Sequence, residues 1–222
     1  MAVAENGPDG HYRGRLGNKV YYILNGIPVV RVIGKYTDDP SDEQLTVRMI
    51  TVMCSELFPK LKDFFKIGFK AIAIAARDNT YNQAIKANRP QVFSGEFPEL
   101  HIHYDKLLVS KGPLKQAQNW KLSQTEDGLL YSWDTDPAMP WPEVNDQVMM
   151  LAYFPSQGKV FFTLYGNARS TGSDLLEIPP SLRNEYMETY ISFISADRAQ
   201  VADSLYTGSF NLQLPEASGS NS

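Results

Sequence analysis

Asn25-Gly26 separates two runs of β-branched and aromatic residues, Lys19–Leu24 and Ile27–Ile33. Both central residues of a two-residue hairpin loop must accept φ > 0, and Asn and Gly do so at least cost, so the spacing predicts a β-hairpin. Its first strand places Val20, Tyr22 and Leu24 on one face and Tyr21 and Ile23 on the other. Both faces are apolar. A lone hairpin is marginal in water, so these strands need cover from a larger sheet or from a partner. Pro28 lacks an N–H and predicts an edge near the start of the second strand. Gly14 and Gly17, which bracket Arg15-Leu16, are expected to supply turn conformations.

A helical segment follows a polar connector at 35–40. Ser41-Asp-Glu-Gln44 has capping-box spacing, and Asp42 and Glu43 suit the positive end of a helix dipole. Leu45, Met49, Val52, Met53 and Leu57 recur at helical spacing, beside a stripe of Ile50, Cys54, Phe58 and Leu61. Pro59 predicts a break, followed by a second helix from Lys60 to about Ala76 with Leu61, Phe64, Phe65, Phe69 and Ile72 opposite four lysines. A third helix is expected from Thr80 to Asn88, ending before Pro90.

Beyond His101 the pattern becomes short strands separated by turn signals: 101–104 with 106–110, 118–123, 128–133, 148–154, 159–166, 175–178, 188–195 and 206–214. Strands at this spacing predict an α+β protein whose C-terminal half is an antiparallel sandwich of immunoglobulin or fibronectin-III type, with Trp120 and Trp133 as core anchors. The expected divisions are an arm at 1–13, hairpin plus helices at 14–100, the sandwich at 101–215 and a small polar tail at 216–222.

Composition constrains the setting. With 43% apolar and 21% charged residues the 222-residue chain can bury a core, and no apolar run is long enough to span a bilayer. The first ten residues lack a basic region followed by an apolar one, so a cytoplasmic protein is expected, with release as part of an assembly left open. A single cysteine excludes an internal disulfide, and Cys54 in the helical stripe reads as a buried hydrophobe. Residues 1–104 carry 13 basic and 11 acidic residues, while residues 105–222 carry 8 and 14. That gradient permits head-to-tail attraction between copies.

Several stretches taken together resemble a known family. They are Asn6-Gly7, Gly14-Arg-Leu-Gly17-Asn18-Lys-Val20, the strand ending Val29-Val30-Arg31, and Pro40-Ser41 with Gln44-Leu45 and Arg48. Leu61-Lys-Asp-Phe64-Phe-Lys-Ile67-Gly68-Phe69 and the closing Ser192, Ser195, Val201, Asp203-Ser204, Tyr206 and Gly208 complete the set. The chain is similar over nearly its whole length to an uncharacterised protein family of Bacteroidota genomes. The resemblance implies a bacterial or phage-borne origin and transfers no catalytic residue. Where those relatives tend to have Gly-Gly-Phe before the first motif glycine, this chain has Gly10-His11-Tyr12-Arg13.

The search for chemistry yields little. His101, His103 and Asp105 at alternate strand positions have ligand spacing, but the chain holds only three histidines, and hydrogen-bonded strand histidines are the better reading. There is no nucleophile elbow, dinucleotide loop or phosphate loop. Glu126, Asp127, Asp134 and Asp136 are acidic loop residues, a pattern that falls short of the paired carboxylates of a glycosidase. No enzyme activity and no cofactor are therefore expected.

The expectation is a structural or interaction protein that self-associates through its arm and hairpin, as a homo-oligomer or with other assembly proteins, for instance in a filament, tube or phage-like particle. The interface residues would be Tyr12, Leu16, Val20, Tyr21, Tyr22, Ile23, Leu24, Ile27, Val29 and Val30. The first alternative is nucleic-acid binding, with Arg13, Arg15, Lys19 and Arg31 as anion contacts. The second is a monomeric ligand-binding sandwich.

Overall fold

The computed structural model describes residues 2–4, 10–24, 26–34 and 39–212. The chain forms two compact units that divide between Ser41 and Asp42. Asn25, most of the connector at 35–40 and the tail from 213 lie outside the described residues.

The first unit is a four-stranded antiparallel sheet in chain order: β1 (Ala2–Ala4), β2 (Tyr12–Leu16), β3 (Lys19–Leu24) and β4 (Ile27–Val32). Leu24 opposite Ile27 leaves a two-residue loop where the Asn-Gly signal lies, and Gly26 has φ +81°. Gly17 (φ +61°) turns the chain from β2 into β3, whereas Gly14 sits within β2. β4 is an edge strand, in keeping with Pro28. Two expectations are corrected here. Residues 2–4, expected within a patternless arm, pair with β2, and the hairpin is the latter half of a meander.

The second unit has three layers. Its helical layer comprises α1 (Asp42–Leu57), a 3₁₀ turn (Phe58–Leu61), α2 (Lys62–Gly68), α3 (Lys70–Ala76) and α4 (Thr80–Val92). Pro59 lies in the 3₁₀ turn, as its missing N–H favours. The expected single helix over 60–76 is interrupted at Phe69, and Arg77 in the left-handed region ends α3. Asn79 caps α4 by accepting from the Asn82 N–H at 2.7 Å. α4 runs through Pro90, contrary to the expected stop. Pro90 and Lys86, one turn earlier, are both exposed, so water can take the carbonyl that the proline leaves without its helical donor. Of the two stripes on α1, Cys54 and Leu57 are buried and Val52 is exposed.

A hairpin of β5 (Phe93–Glu96) and β6 (Glu99–Ile102) follows. The sequence pattern missed β5, and residues 106–110 join no ladder. Instead they are pinned by side chains: Asn88 accepts from the Leu108 N–H at 2.7 Å, and Ser204 Oγ accepts from the Val109 N–H at 2.9 Å.

The remaining strands are β7 (Lys121–Gln124), β8 (Gly128–Ser132), β9 (Gln147–Phe154), β10 (Lys159–Thr163), β11 (Ser173–Glu177), β12 (Met187–Ile194) and β13 (Leu205–Phe210). They make a four-stranded antiparallel sheet in the order β10-β9-β12-β13 and a three-stranded one in the order β11-β8-β7. The middle layer is the four-stranded sheet. Along β9, Met149, Leu151 and Tyr153 join the helical core with Phe58, Phe64 and Phe65, while Val148, Met150, Ala152 and Phe154 join the second core with Leu129, Tyr131 and Trp133. Strand alternation thus feeds two cores from one strand, which is why β9 reads as a nearly continuous apolar run; β12 is likewise buried, with Glu188, Thr189 and Ser192 among its apolar residues. At about 1.5–3 kcal/mol for each large side chain removed from water, this shared wall dominates the favourable side of folding.

Candidate functional site: an uncovered sheet and a braced cleft

Among the described residues of the first unit none is buried. The register sorts the expected interface residues into two unlike faces. Gly14 opposite Tyr21 and Tyr21 opposite Val30 put Tyr12, Leu16, Tyr21, Ile23, Val30 and Val32 together, with Lys19 at one end. Five of these are strongly exposed: Tyr12 45%, Leu16 58%, Ile23 42%, Val30 52% and Val32 61%. Tyr12 and Tyr21 lean on each other at 5.9 Å between ring centres. The other face carries Val20, Tyr22, Leu24, Ile27 and Val29, with Arg13, Arg15 and Arg31 among them. Three of the four expected anion contacts therefore share a face with Tyr22, and Lys19 lies opposite. Arg15 Nε donates to the Gly17 carbonyl at 3.1 Å.

The histidines do not converge on a metal site. β6 ends at Ile102, and His103 is turned aside, with Ser94 Oγ 2.5 Å from its Nε2 and Asp105 3.9 Å from its Nδ1. Among the described residues no group of three or more potential metal ligands comes together. Asp134 accepts from Asn119 Nδ2, Asp136 caps the Ala138 N–H, and Asp127 lines a depression elsewhere on the unit. Asp127, Asp134 and Asp136 thus have separate local settings.

Sequence reasoning missed a cleft of about 580 Å³ in the second unit. It is lined by the loop Pro140-Trp141-Pro142-Glu143 with Asp146, by residues of the 195–200 turn and by Pro113–Lys115. Arg169, only 3% exposed, links two of these lining segments. Its Nη2 donates to the Lys115 carbonyl at 2.7 Å and more weakly to Asp146 Oδ2 at 3.4 Å, and its guanidinium lies 3.7 Å from the centre of the Phe193 ring. Burial pushes the Asp146 carboxyl up and the Arg169 guanidinium down, and their mutual attraction opposes both shifts. In the 195–200 turn Asp197 accepts from the Ser195 hydroxyl and the Ala199 N–H, which fixes the turn. The one signal available in sequence was an aromatic between two prolines at 140–142. Arg169 and Asp146, 23 residues apart, carried none.

A second buried carboxylate lies on β12. Glu188 accepts from the hydroxyls of Tyr186 and Tyr206, and burial pushes its carboxyl above the ordinary range despite those bonds. An acid whose folded-state pKa is raised contributes stability that is full below the ordinary glutamate range and is lost as pH rises through the raised value. Glu188→Gln is therefore expected to remove that loss. Urea unfolding of both proteins between about pH 4 and 8 should show wild type falling relative to the variant as pH rises. Parallel curves would refute the assignment.

These elements define a mixed α and β protein with a separate N-terminal sheet and a C-terminal half built from antiparallel sheets. The chain belongs to the family of unknown function DUF6266, whose model matches residues 11–208. The match takes in β2 to β4 together with most of the second unit. No curated protein shows significant similarity to the chain. Among the described residues no helix is long and apolar enough to cross a membrane.

Proposed function

We propose that this chain is a non-enzymatic interaction protein that self-associates through its N-terminal sheet. The observation that carries the reading is the uncovered apolar face of Tyr12, Leu16, Ile23, Val30 and Val32. A second copy of the same face is its natural occupant, since apolar surface of equal extent and low charge meets itself without desolvating ions. Size sets the terms. Strands about 20 Å long spaced about 4.8 Å apart give a face of about 400 Å², half of what one partner contributes to a stable complex. The contact therefore works in company with others, as in a filament, tube or phage-like particle of bacterial origin. The acidic second unit, with 16 basic and 21 acidic residues over 42–222, and the arginine face of the first offer one such additional contact.

The C-terminal half belongs to the same proposal as a fibronectin-III-like sandwich. Strands β7, β8 and β11 oppose β10, β9, β12 and β13. This differs from the immunoglobulin constant arrangement by moving the fourth strand to the other sheet.

Light scattering tests the central claim. The intact protein should exceed 25.0 kDa in a concentration-dependent way, and Ile23→Glu with Val30→Glu should return it to that mass. A wild-type protein that stays monomeric at all concentrations would sink the reading. A second reading, nucleic-acid binding, is favoured by the grouping of Arg13, Arg15 and Arg31 around Tyr22. It predicts salt-sensitive retention on a polynucleotide column that Arg15→Ala with Arg31→Ala abolishes.

A further inference from the structure

We propose that the cleft between Trp141 and the 195–200 turn is a binding site for a neutral saccharide. Trp141 is 78% exposed, the most exposed of the large hydrophobic side chains described. An indole left in water on a loose loop would mean little, but this loop is braced. The Val144 N–H donates to the Pro140 carbonyl, that of Asn145 to Pro142, and that of Asp146 to Glu143. Arg169 then holds Asp146. The platform is thus ordered before any ligand arrives, which lowers the entropic cost of binding.

Volume and charge define the class of ligand. About 580 Å³ lies within the range of small-molecule sites and suits one or two pyranose rings. Lys115 Nζ stands 3.5 Å from Glu143 Oε1 and Arg169 offsets Asp146, so among the described residues lining the cleft Asp197 is the charge without an ion pair, while Arg198 beside it lies over the Tyr165 ring. An anion finds no surplus of cations, and a cation finds little net pull. A hydroxyl suits the cleft better because it can donate to Glu143 and accept from Lys115 at once. Glu143 Oε1 is itself buried beside Lys115 and has no hydrogen-bond partner among the described residues, so the exposed remainder of the side chain, 24%, is what meets such a hydroxyl. The C–H face of a pyranose would lie on the indole of Trp141, whose ring is apolar on its faces and polar only at its N–H.

The test uses the full chain and an array of neutral oligosaccharides, followed by calorimetry with the glycan giving the strongest signal. Saturable binding to at least one neutral glycan is expected, weakened tenfold or more by Trp141→Ala and by Glu143→Gln. Trp141 is exposed, so the thermal melt of Trp141→Ala should overlay wild type; Glu143→Gln also removes the ion pair with Lys115, so its binding is measured well below its own melting temperature. Three results would each overturn the proposal: no neutral glycan bound, undiminished binding in both variants, or binding confined to sulfated glycans or to a lysine-rich peptide run alongside.

Discussion

Arg169→Ala is expected to destabilise the second unit by about 3–5 kcal/mol, the cost of stranding one partner of a buried ion pair. The substitution removes three things together. Asp146, 2% exposed, loses its countercharge, the Lys115 carbonyl loses its donor, and the face of Phe193 loses the guanidinium lying on it. The Trp133 indole N–H still reaches the backbone carbonyl of residue 169, so the loss is confined to the side chain. Urea denaturation measures the effect, and a double variant sharpens it. Arg169→Met with Asp146→Leu removes both charges and should recover much of the loss, because an apolar pair of similar volume often matches a buried ion pair. A single variant within about 0.5 kcal/mol of wild type would show that the pair contributes nothing to the fold.

Gly68→Ala is the second large effect, at about 3 kcal/mol, the upper part of what overpacking costs. A Cβ at residue 68 would overlap the Val109 carbonyl oxygen and come within 2.9 Å of Ser110 Cα. Those atoms are backbone and cannot swing away as a side-chain tip would. The Gly68 carbonyl also accepts from the Lys111 N–H at 2.9 Å, so separating the two segments would break that bond. Gly68 is therefore the close-approach point at which the helical layer meets the segment pinned by Asn88 and Ser204. Gly17→Ala is the contrasting variant: its Cβ would meet nothing within 4 Å, and only its φ of +61° opposes the change. A Gly68→Ala protein as stable as wild type would rule out the close approach.

What the sequence made legible follows from the range of the forces involved. Local signals were readable: the two-residue hairpin, the edge proline at 28, the helix break at Pro59, and the strands from β7 to β13 with displaced ends. Long-range compensation was not. Nothing near Pro90 tells that its helix will continue, since that depends on Lys86 facing water. The first three-residue strand has too few residues for alternation to show. The packing partners of the helices were hidden for the same reason. Phe58, Phe64 and Phe65 look like company for the hairpin that precedes them, yet they pack on Met149 and Leu151, more than 80 residues further on. The cleft was invisible because its parts come from four separate stretches. The sheet's two faces, by contrast, were written directly into alternate residues of β3.

The shared wall also bears on how the chain avoids mispairing. In a strand with one wet face, a slip of one position turns greasy residues outward and is rejected at once. β12 and all of β9 beyond its half-buried Gln147 are buried, so a slipped pairing would still be covered on both sides and hydrophobicity alone would tolerate it. The few hydroxyls inside then become the arbiters. Ser192 meets Ser110 and the Ala202 carbonyl, and Thr189 meets Thr207 and the Gly208 carbonyl, each at hydrogen-bonding distance in one alignment. Moved by a single residue, each would be left facing hydrocarbon. Small polar atoms in an oily interior thus act as a key that admits one threading of the strands.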